Sequence, residues 1–183
     1  PSPTPSPTRR SSAHGGLNVT NGKEAPTVTA AATGSGAENT EGTVYTAAAT
    51  DPETGTALTD TLSGTDAALF NINATTGAVS FKSAPNYEAP TDAGANNVYD
   101  VTVKASDGSN VTSQAVAITV TNVNEAPTVT SGTTASVAEN TAGTVYTAAA
   151  TDPDAGTSLT YSLSGSGATL FNIDATTGAV SFT

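Results

Sequence analysis

The residues of this chain that could do chemistry are carboxylates and amides gathered in short clusters, several of which occur twice. Ala37-Glu38-Asn39 returns as Ala138-Glu139-Asn140, and Asp51-Pro52-Glu53 returns as Asp152-Pro153-Asp154. Lys23-Glu24-Ala25-Pro26 returns as Asn124-Glu125-Ala126-Pro127, while Asn86-Tyr87-Glu88 and Ala105-Ser106-Asp107 occur once. Carboxylate, amide and carbonyl oxygens are what a hard cation such as Ca²⁺ takes as ligands, about six to eight at a time. Carboxylates held close together repel one another unless a cation sits between them. The competing use is structural, because Asp-Pro begins turns well. Nucleophilic and acid–base catalysis have little to work with. The chain has no cysteine and a single histidine, His14, in a polar lead-in, so no imidazole is available for a serine-type triad. No enzyme is expected.

The charge distribution narrows the partners. The net charge is −11, yet all 16 acids lie from Glu24 onward, where only Lys82 and Lys104 offset them, a net −14. Such a surface repels phosphate backbones, whose affinity comes from Lys and Arg, so nucleic acid is excluded as a partner and cations are favoured. Scattered acids would serve solubility alone; these are clustered. The absence of cysteine also rules out disulfide staples and thiolate metal sites. No apolar run is long enough to span a membrane, and no signal peptide is visible at the N-terminus. The chain starts inside a linker, as a fragment of a longer protein would.

The elements that must position these acids follow from an internal repeat. Residues 43–82 recur almost letter for letter at 144–183, an offset of 101 residues. That period is a whole small domain rather than a solenoid unit. The expected organisation is a Pro/Ser/Thr linker and flexible lead-in at 1–23, a complete repeat at 24–123 and a truncated repeat at 124–183. Apolar alternation predicts strands at 25–32, 42–50, 58–62, 69–72, 78–81, 98–106 and 111–121, with a hairpin turn at Asp107-Gly108-Ser109-Asn110. No segment has helical periodicity. About seven short strands in about 100 residues predict an all-β Greek-key sandwich. The second copy lacks the two long strands, which leaves an open edge and an uncovered face. Residues 128–183 are therefore expected to be marginal alone: frayed, swapped or completed by another chain.

This ordered set resembles the cadherin repeat, in its bacterial cadherin-like form, over residues 24–183. In that family a Glu-Asn near the first strand, D-R-E, D-x-D, A-x-D and a linker D-x-N-D-N-x-P bind calcium between successive domains. AEN, NYE, DPE or DPD, ASD and NVNEAP stand in those places here. The resemblance implies a cadherin/immunoglobulin-like sandwich and a calcium site at the junction. Glu38 and Glu88 of the first repeat, Glu125 and the carbonyl of Asn124 in the linker, and Asp152 and Asp154 of the second repeat would hold the ion. Asp51, Glu53 and Asp107 would form the matching half-site at the free end. Asn86 replaces the first acid of D-R-E, Asn122 replaces the first linker Asp, and the linker is one residue shorter, with Ala126 where the family has a ligating Asn. Fewer ions and weaker binding than is usual for the family are expected, about one or two per junction.

The resemblance implies an extracellular or cell-surface module, acting in adhesion through homophilic contacts or as a calcium-stiffened spacer. The alternative is a carbohydrate-binding accessory module of a secreted polysaccharide-active enzyme, suggested by the Pro/Thr spacer. That reading needs exposed aromatics, for which only Tyr87 and Tyr99 of the first repeat offer themselves. Self-association of the truncated repeat through its open edge is a third possibility.

Overall fold

The computed structural model describes residues 22–183, so the Pro/Ser/Thr spacer, the disorder expected there and His14 lie outside the described residues. Nine strands build the first repeat. They are β1 (Thr27–Val28), β2 (Thr33–Ala37), β3 (Thr43–Thr46), β4 (Ala49–Thr50), β5 (Thr59–Ser63), β6 (Phe70–Ile72), β7 (Ala78–Phe81), β8 (Val98–Ser106) and β9 (Val111–Thr121). One sheet has the order β2-β9-β8-β5, the facing sheet β3-β7-β6, and β1 pairs with β4 at the margin. No α-helix occurs among the described residues; a 3₁₀ turn, Ala67–Leu69, precedes β6, and its counterpart Ala168–Leu170 occupies the same place in the second repeat. The expected sandwich is thus the observed fold.

The alternation of β8 and β9 explains why they dominate. Tyr99, Val101, Val103 and Ala105 face inward from β8, and Val116, Ile118 and Val120 from β9. They meet Val44, Tyr45, Ala47, Phe70, Val79 and Phe81 from the facing sheet. Phe70 and Phe81 pack at 4.4 Å between ring centroids, and both meet the edge of Tyr99, at 5.8 and 5.1 Å. Edge-to-face contact of this kind adds to simple burial.

The observed strands depart from the expected ones in two places, each for a physical reason. The run 25–32 is not one strand. Only Thr27–Val28 pairs, and the Gly-rich segment Thr33-Gly34-Ser35-Gly36-Ala37 forms β2 instead, parallel to β9. β2 crosses so close to β3 that a Cβ at Gly34 would lie 2.8 Å from the Val44 carbonyl oxygen, and one at Gly36 would collide with the Val44 side chain. Close approach of two backbones is what glycine in a strand permits. The run 42–50 also divides. β3 pairs with β7 and β4 with β1, so the chain changes partner at Ala47–Ala48.

The second repeat forms β10 (Thr128–Val129), β11 (Thr144–Thr147), β12 (Ala150–Thr151), β13 (Phe171–Ile173) and β14 (Ala179–Phe182), with the same pairings as their first-repeat counterparts. The segments equivalent to β2 and β5 do not become strands, because their pairing partners β9 and β8 have no equivalent here. Val129, Val137, Leu163, Leu170 and Phe182 are left exposed. At the position equivalent to Gly36 stands Val137, on a segment that makes no ladder.

Gly36→Val, which imports the second repeat's residue, is expected to cost the first repeat about 1–3 kcal/mol by overpacking against Val44. Urea denaturation followed by tyrosine fluorescence would show it as a lower midpoint. An unchanged midpoint would mean that β2 can move away from β3 freely.

Candidate metal centre

The two ends of the β8–β9 hairpin and the strand beside it place the acids at opposite poles of the first repeat. β2 ends at Ala37, and Glu38 continues its alignment with β9 by donating its amide to the Thr121 carbonyl at 3.0 Å. The Glu38 side chain is almost wholly buried. Its two oxygens accept the backbone amides of Tyr87 and Val123, each at 2.8 Å. One carboxylate therefore ties β2 to the loop that carries Glu88 and to the linker that carries Glu125. Glu38, Glu88 and Glu125 each bring a carboxylate oxygen within 4.8 Å of the others.

Amides complete this junction cluster. The Nδ2 of Asn39 donates to Glu125 Oε1 at 2.6 Å, and the Nδ2 of Asn122 donates to Glu88 Oε1 at 2.9 Å. Asn39 sits at φ 58°, a left-handed conformation that asparagine tolerates better than most residues. The loop itself is held by Asn97, whose amide donates to the Tyr87 carbonyl, and by Asn86, whose Oδ1 accepts the Ala89 amide. Asn86 thus caps a turn. Across the junction, Asp154 Oδ2 accepts the Glu125 amide at 2.8 Å.

The structure does not bring Asp152 or Asp154 into the group of three. Asp152 Oδ1 accepts the Asp154 amide at 2.9 Å, and the Asn124 side chain donates to the Glu125 carbonyl. Glu139, the equivalent of Glu38, is exposed, and residues 124–183 include no counterpart of β9 to align it.

The opposite pole repeats the pattern. Asp51, Glu53 and Asp107 bring carboxylate oxygens within 4.8 Å of one another. Asp107 opens the hairpin turn, where its Oδ1 accepts the amides of Ser109 at 2.7 Å and Asn110 at 2.5 Å. Asp51 Oδ1 accepts the Glu53 amide, and Glu53 Oε1 accepts the Glu24 amide. The turn-closing and ligand readings of Asp51 therefore coexist, since a carboxylate has two oxygens and the turn uses one. The other oxygen is what marks the site. Asp51 Oδ2 and Glu53 Oε2 at this pole, and Glu88 Oε2 and Glu125 Oε2 at the junction, are enclosed and have no hydrogen-bond partner. Buried polar atoms are normally paired, and an orphan invites an explanation such as an ion.

The charge balance tells the same story. Desolvation is the largest influence on Glu88 and pushes its carboxyl up. Its own backbone amide opposes the rise, and the nearby charges of Glu38, Glu125 and Asp154 reinforce it. Asp51 is also raised, chiefly by the Glu53 carboxylate facing it and by desolvation. Asp107 is held well below the usual carboxylate range, first by the amides of Asn110 and Ser109.

Comparison with solved structures returns the same architecture. The chain is similar to human protocadherin-24 EC1-2, at 24% identity and a TM-score of 0.65, covering 87% of this chain and 77% of that one. It is similar to Drosophila N-cadherin EC1-4, at 25% identity and a TM-score of 0.62, covering 88% of this chain and 41% of that one. Mouse cadherin-23 EC22-24 matches at 26% identity with a TM-score of 0.51, covering 86% of this chain and 53% of that one. The fold is cadherin-like. No family model matches the chain, and no curated protein matches it in sequence.

Within this cadherin-like frame the sugar-binding alternative loses one of its two tyrosines. Tyr99 is fully buried in the aromatic core, a correction to its expected exposure, because the inward face of β8 has no other large residue to meet Phe70 and Phe81. Only Tyr87 of the pair is exposed. Sequence reasoning placed Asn39 and Asn122 in the motifs but not as donors to Glu125 and Glu88, and it missed the loop anchor Asn97. Their partners lie 86, 34 and 10 residues away, beyond any local pattern.

Two outcomes follow from this geometry. Glu38→Ala removes two hydrogen bonds to part-buried amides, and together they should cost about 1–3 kcal/mol; a melt in EDTA unchanged from the parent would contradict the anchoring role. In the same buffer, raised Glu88 and Asp51 make the folded chain take up protons before the unfolded one, so their contribution favours the folded state as pH falls toward the ordinary carboxylate range of about 4. Asp107, with a lowered value, stabilises above the ordinary aspartate range and loses that contribution as pH falls below about 4. Thermal melts across this range should pass through a maximum; a steady decline from pH 7 would contradict the raised values.

Proposed function

We propose that this chain is a calcium-binding, cadherin-like segment of a tandem array at the cell surface, in which the ion stiffens the junction between successive repeats. The observation that carries this reading is the set of enclosed carboxylate oxygens without partners, two at each pole of the first repeat. Oxygen-only donors of this kind suit Ca²⁺, which accepts irregular geometry and many ligands. Glu88, Glu125 and Glu38 would hold the junction ion, with Asp154, Asp152 and the Asn124 carbonyl completing its shell from the other side. Asp51, Glu53 and Asp107 would hold the equivalent ion at the free pole. Each repeat would be one domain, with the division near residue 124.

The ion would supply positive charge where carboxylates from two repeats converge. Everything else is done by the chain. Glu38 fixes the Tyr87 loop to the linker, and Asp154 fixes the linker to the second repeat through the Glu125 amide. A cation that binds only this ordered arrangement stabilises it in proportion to its occupancy. A string of repeats would then behave as a rod that projects a distal surface for adhesion, with homophilic contacts as the partner class. The role is non-catalytic, and the cadherin-like fold supports it. The Asn122–Glu88 and Asn39–Glu125 hydrogen bonds occupy one oxygen of each acid, which favours few ions per junction.

Thermal unfolding in excess EDTA and in millimolar Ca²⁺ tests the reading. The parent is expected to melt higher in calcium. Glu88→Gln with Glu125→Gln keeps the shape and removes two ligand charges, so it should lose most of that increment and melt no lower than the parent in EDTA. A parent melting point indifferent to calcium would overturn the proposal.

A further inference from the structure

We propose that Lys23 is a resident cation of the Asp51–Glu53–Asp107 cluster and raises the calcium concentration at which that pole loads above that of the junction. The inference rests on the calcium reading, but its core is a relation among side chains that can be measured without calcium. Lys23 forms the one salt bridge found among the described residues, with Nζ 3.2 Å from Asp107 Oδ2, and it also donates to the Asp107 carbonyl at 2.8 Å. Asp107 is a member of the acid cluster, and its side chain is fully enclosed. An ammonium therefore stands against the same carboxylates whose companions Asp51 Oδ2 and Glu53 Oε2 are enclosed and unpartnered.

The junction has no such group. The 101-residue offset places Asn124 where Lys23 stands, and the Asn124 side chain turns to the Glu125 carbonyl. One contact corresponds, Glu24 N–Glu53 Oε1 at one pole answering Glu125 N–Asp154 Oδ2 at the other, both at 2.8 Å, whereas Asp107 has no counterpart among residues 124–183. The lysine pole thus carries a positive charge at a position where the junction has an uncharged amide. A dication entering the lysine pole must displace or repel the ammonium, whereas at the junction it meets uncompensated acids. The half-exposed Lys23 side chain can swing into water when that happens. Lys23 thereby relieves carboxylate repulsion at a pole with no ion, and delays loading there.

Two experiments on the full chain decide the matter. In EDTA, Lys23→Met should lower the melting point, and the loss should shrink when Asp51→Asn and Glu53→Gln are also present. Such coupling to two residues that Lys23 does not hydrogen-bond is what a cluster counter-ion requires. An equal loss in both backgrounds would overturn the proposal and leave a local ion pair with Asp107.

Calcium titration by calorimetry, with the junction silenced by Glu88→Gln and Glu125→Gln, reads the second property. Lys23→Asn and Lys23→Met should each tighten the remaining site by about tenfold or more, the effect of removing a like charge from contact. Unchanged affinity in both variants would overturn the proposal while calcium uptake by the parent left the junction reading standing. Absence of any uptake by the parent would sink both.

Discussion

The constraint on which the rest depends is the pairing of β8 with β9. These two strands form the longest ladder in the chain, from Val98–Thr119 to Ser106–Val111, and supply half of the sandwich core. The same ladder acts as a ruler for the chemistry. Its turn delivers Asp107 to one pole, and the exit of β9 delivers Asn122 to Glu125 to the other. β2 lies along β9 and so ends at Glu38, beside that exit. The spacing between the two acid clusters is therefore set by hydrophobic alternation in the hairpin, not by anything in the acids.

This arrangement resolves a conflict between folding and ion binding. A site that presents only unpaired carboxylates would destabilise the chain that makes it. Here nearly every acid divides its labour. One oxygen of Asp51, Glu53, Glu125 or Glu88 takes an amide that organises a turn or the linker, and the other is left free. Two acids are exceptions: Asp107, whose Oδ2 meets Lys23 and the Asn110 side chain, and Glu38, with both oxygens occupied by backbone amides. That makes it the strut of the junction rather than its freest ligand. Raised carboxyls at Glu88 and Asp51 are the remaining cost of the arrangement.

How much of this was legible in the sequence depended on the range of the interaction. β7, β8 and β9 were readable to the residue, because alternation over four to eleven positions is a local signal. β2 was not, since Gly34 and Gly36 weaken its strand propensity and its partner is parallel and more than 80 residues away. The resemblance grouped Asp51, Glu53 and Asp107 at one pole, as the structure does, and grouped Glu38, Glu88 and Glu125 at the other together with Asp152 and Asp154, which the structure leaves outside the close cluster. The donor roles of Asn39 and Asn122 could not be read, because their partners Glu125 and Glu88 lie 86 and 34 residues away. One signal was present and went unused: Lys23 and Asn124 differ at a position where the surrounding motif repeats, which sets a positive charge beside one acid cluster and none beside the other.

The two repeats together show that the site is a property of the fold rather than of the motif. Ala-Glu-Asn is identical at 37–39 and 138–140, and Asn39 and Asn140 share a left-handed backbone, at φ 58° and 63°. The local turn therefore forms in both copies. Yet Glu38 is buried with both oxygens bonded, whereas Glu139 is exposed. The difference lies in β9 and the segment that follows it, which provide the Thr121 carbonyl and the Val123 amide for the first copy and have no equivalent for the second. A strand seated along β2 is what turns a solvated glutamate into the strut of an ion site. The same logic explains why Thr134–Ala138 stays irregular although it differs from β2 at only two positions. Glycines permit the close crossing, but a ladder partner must be there to make it worth forming.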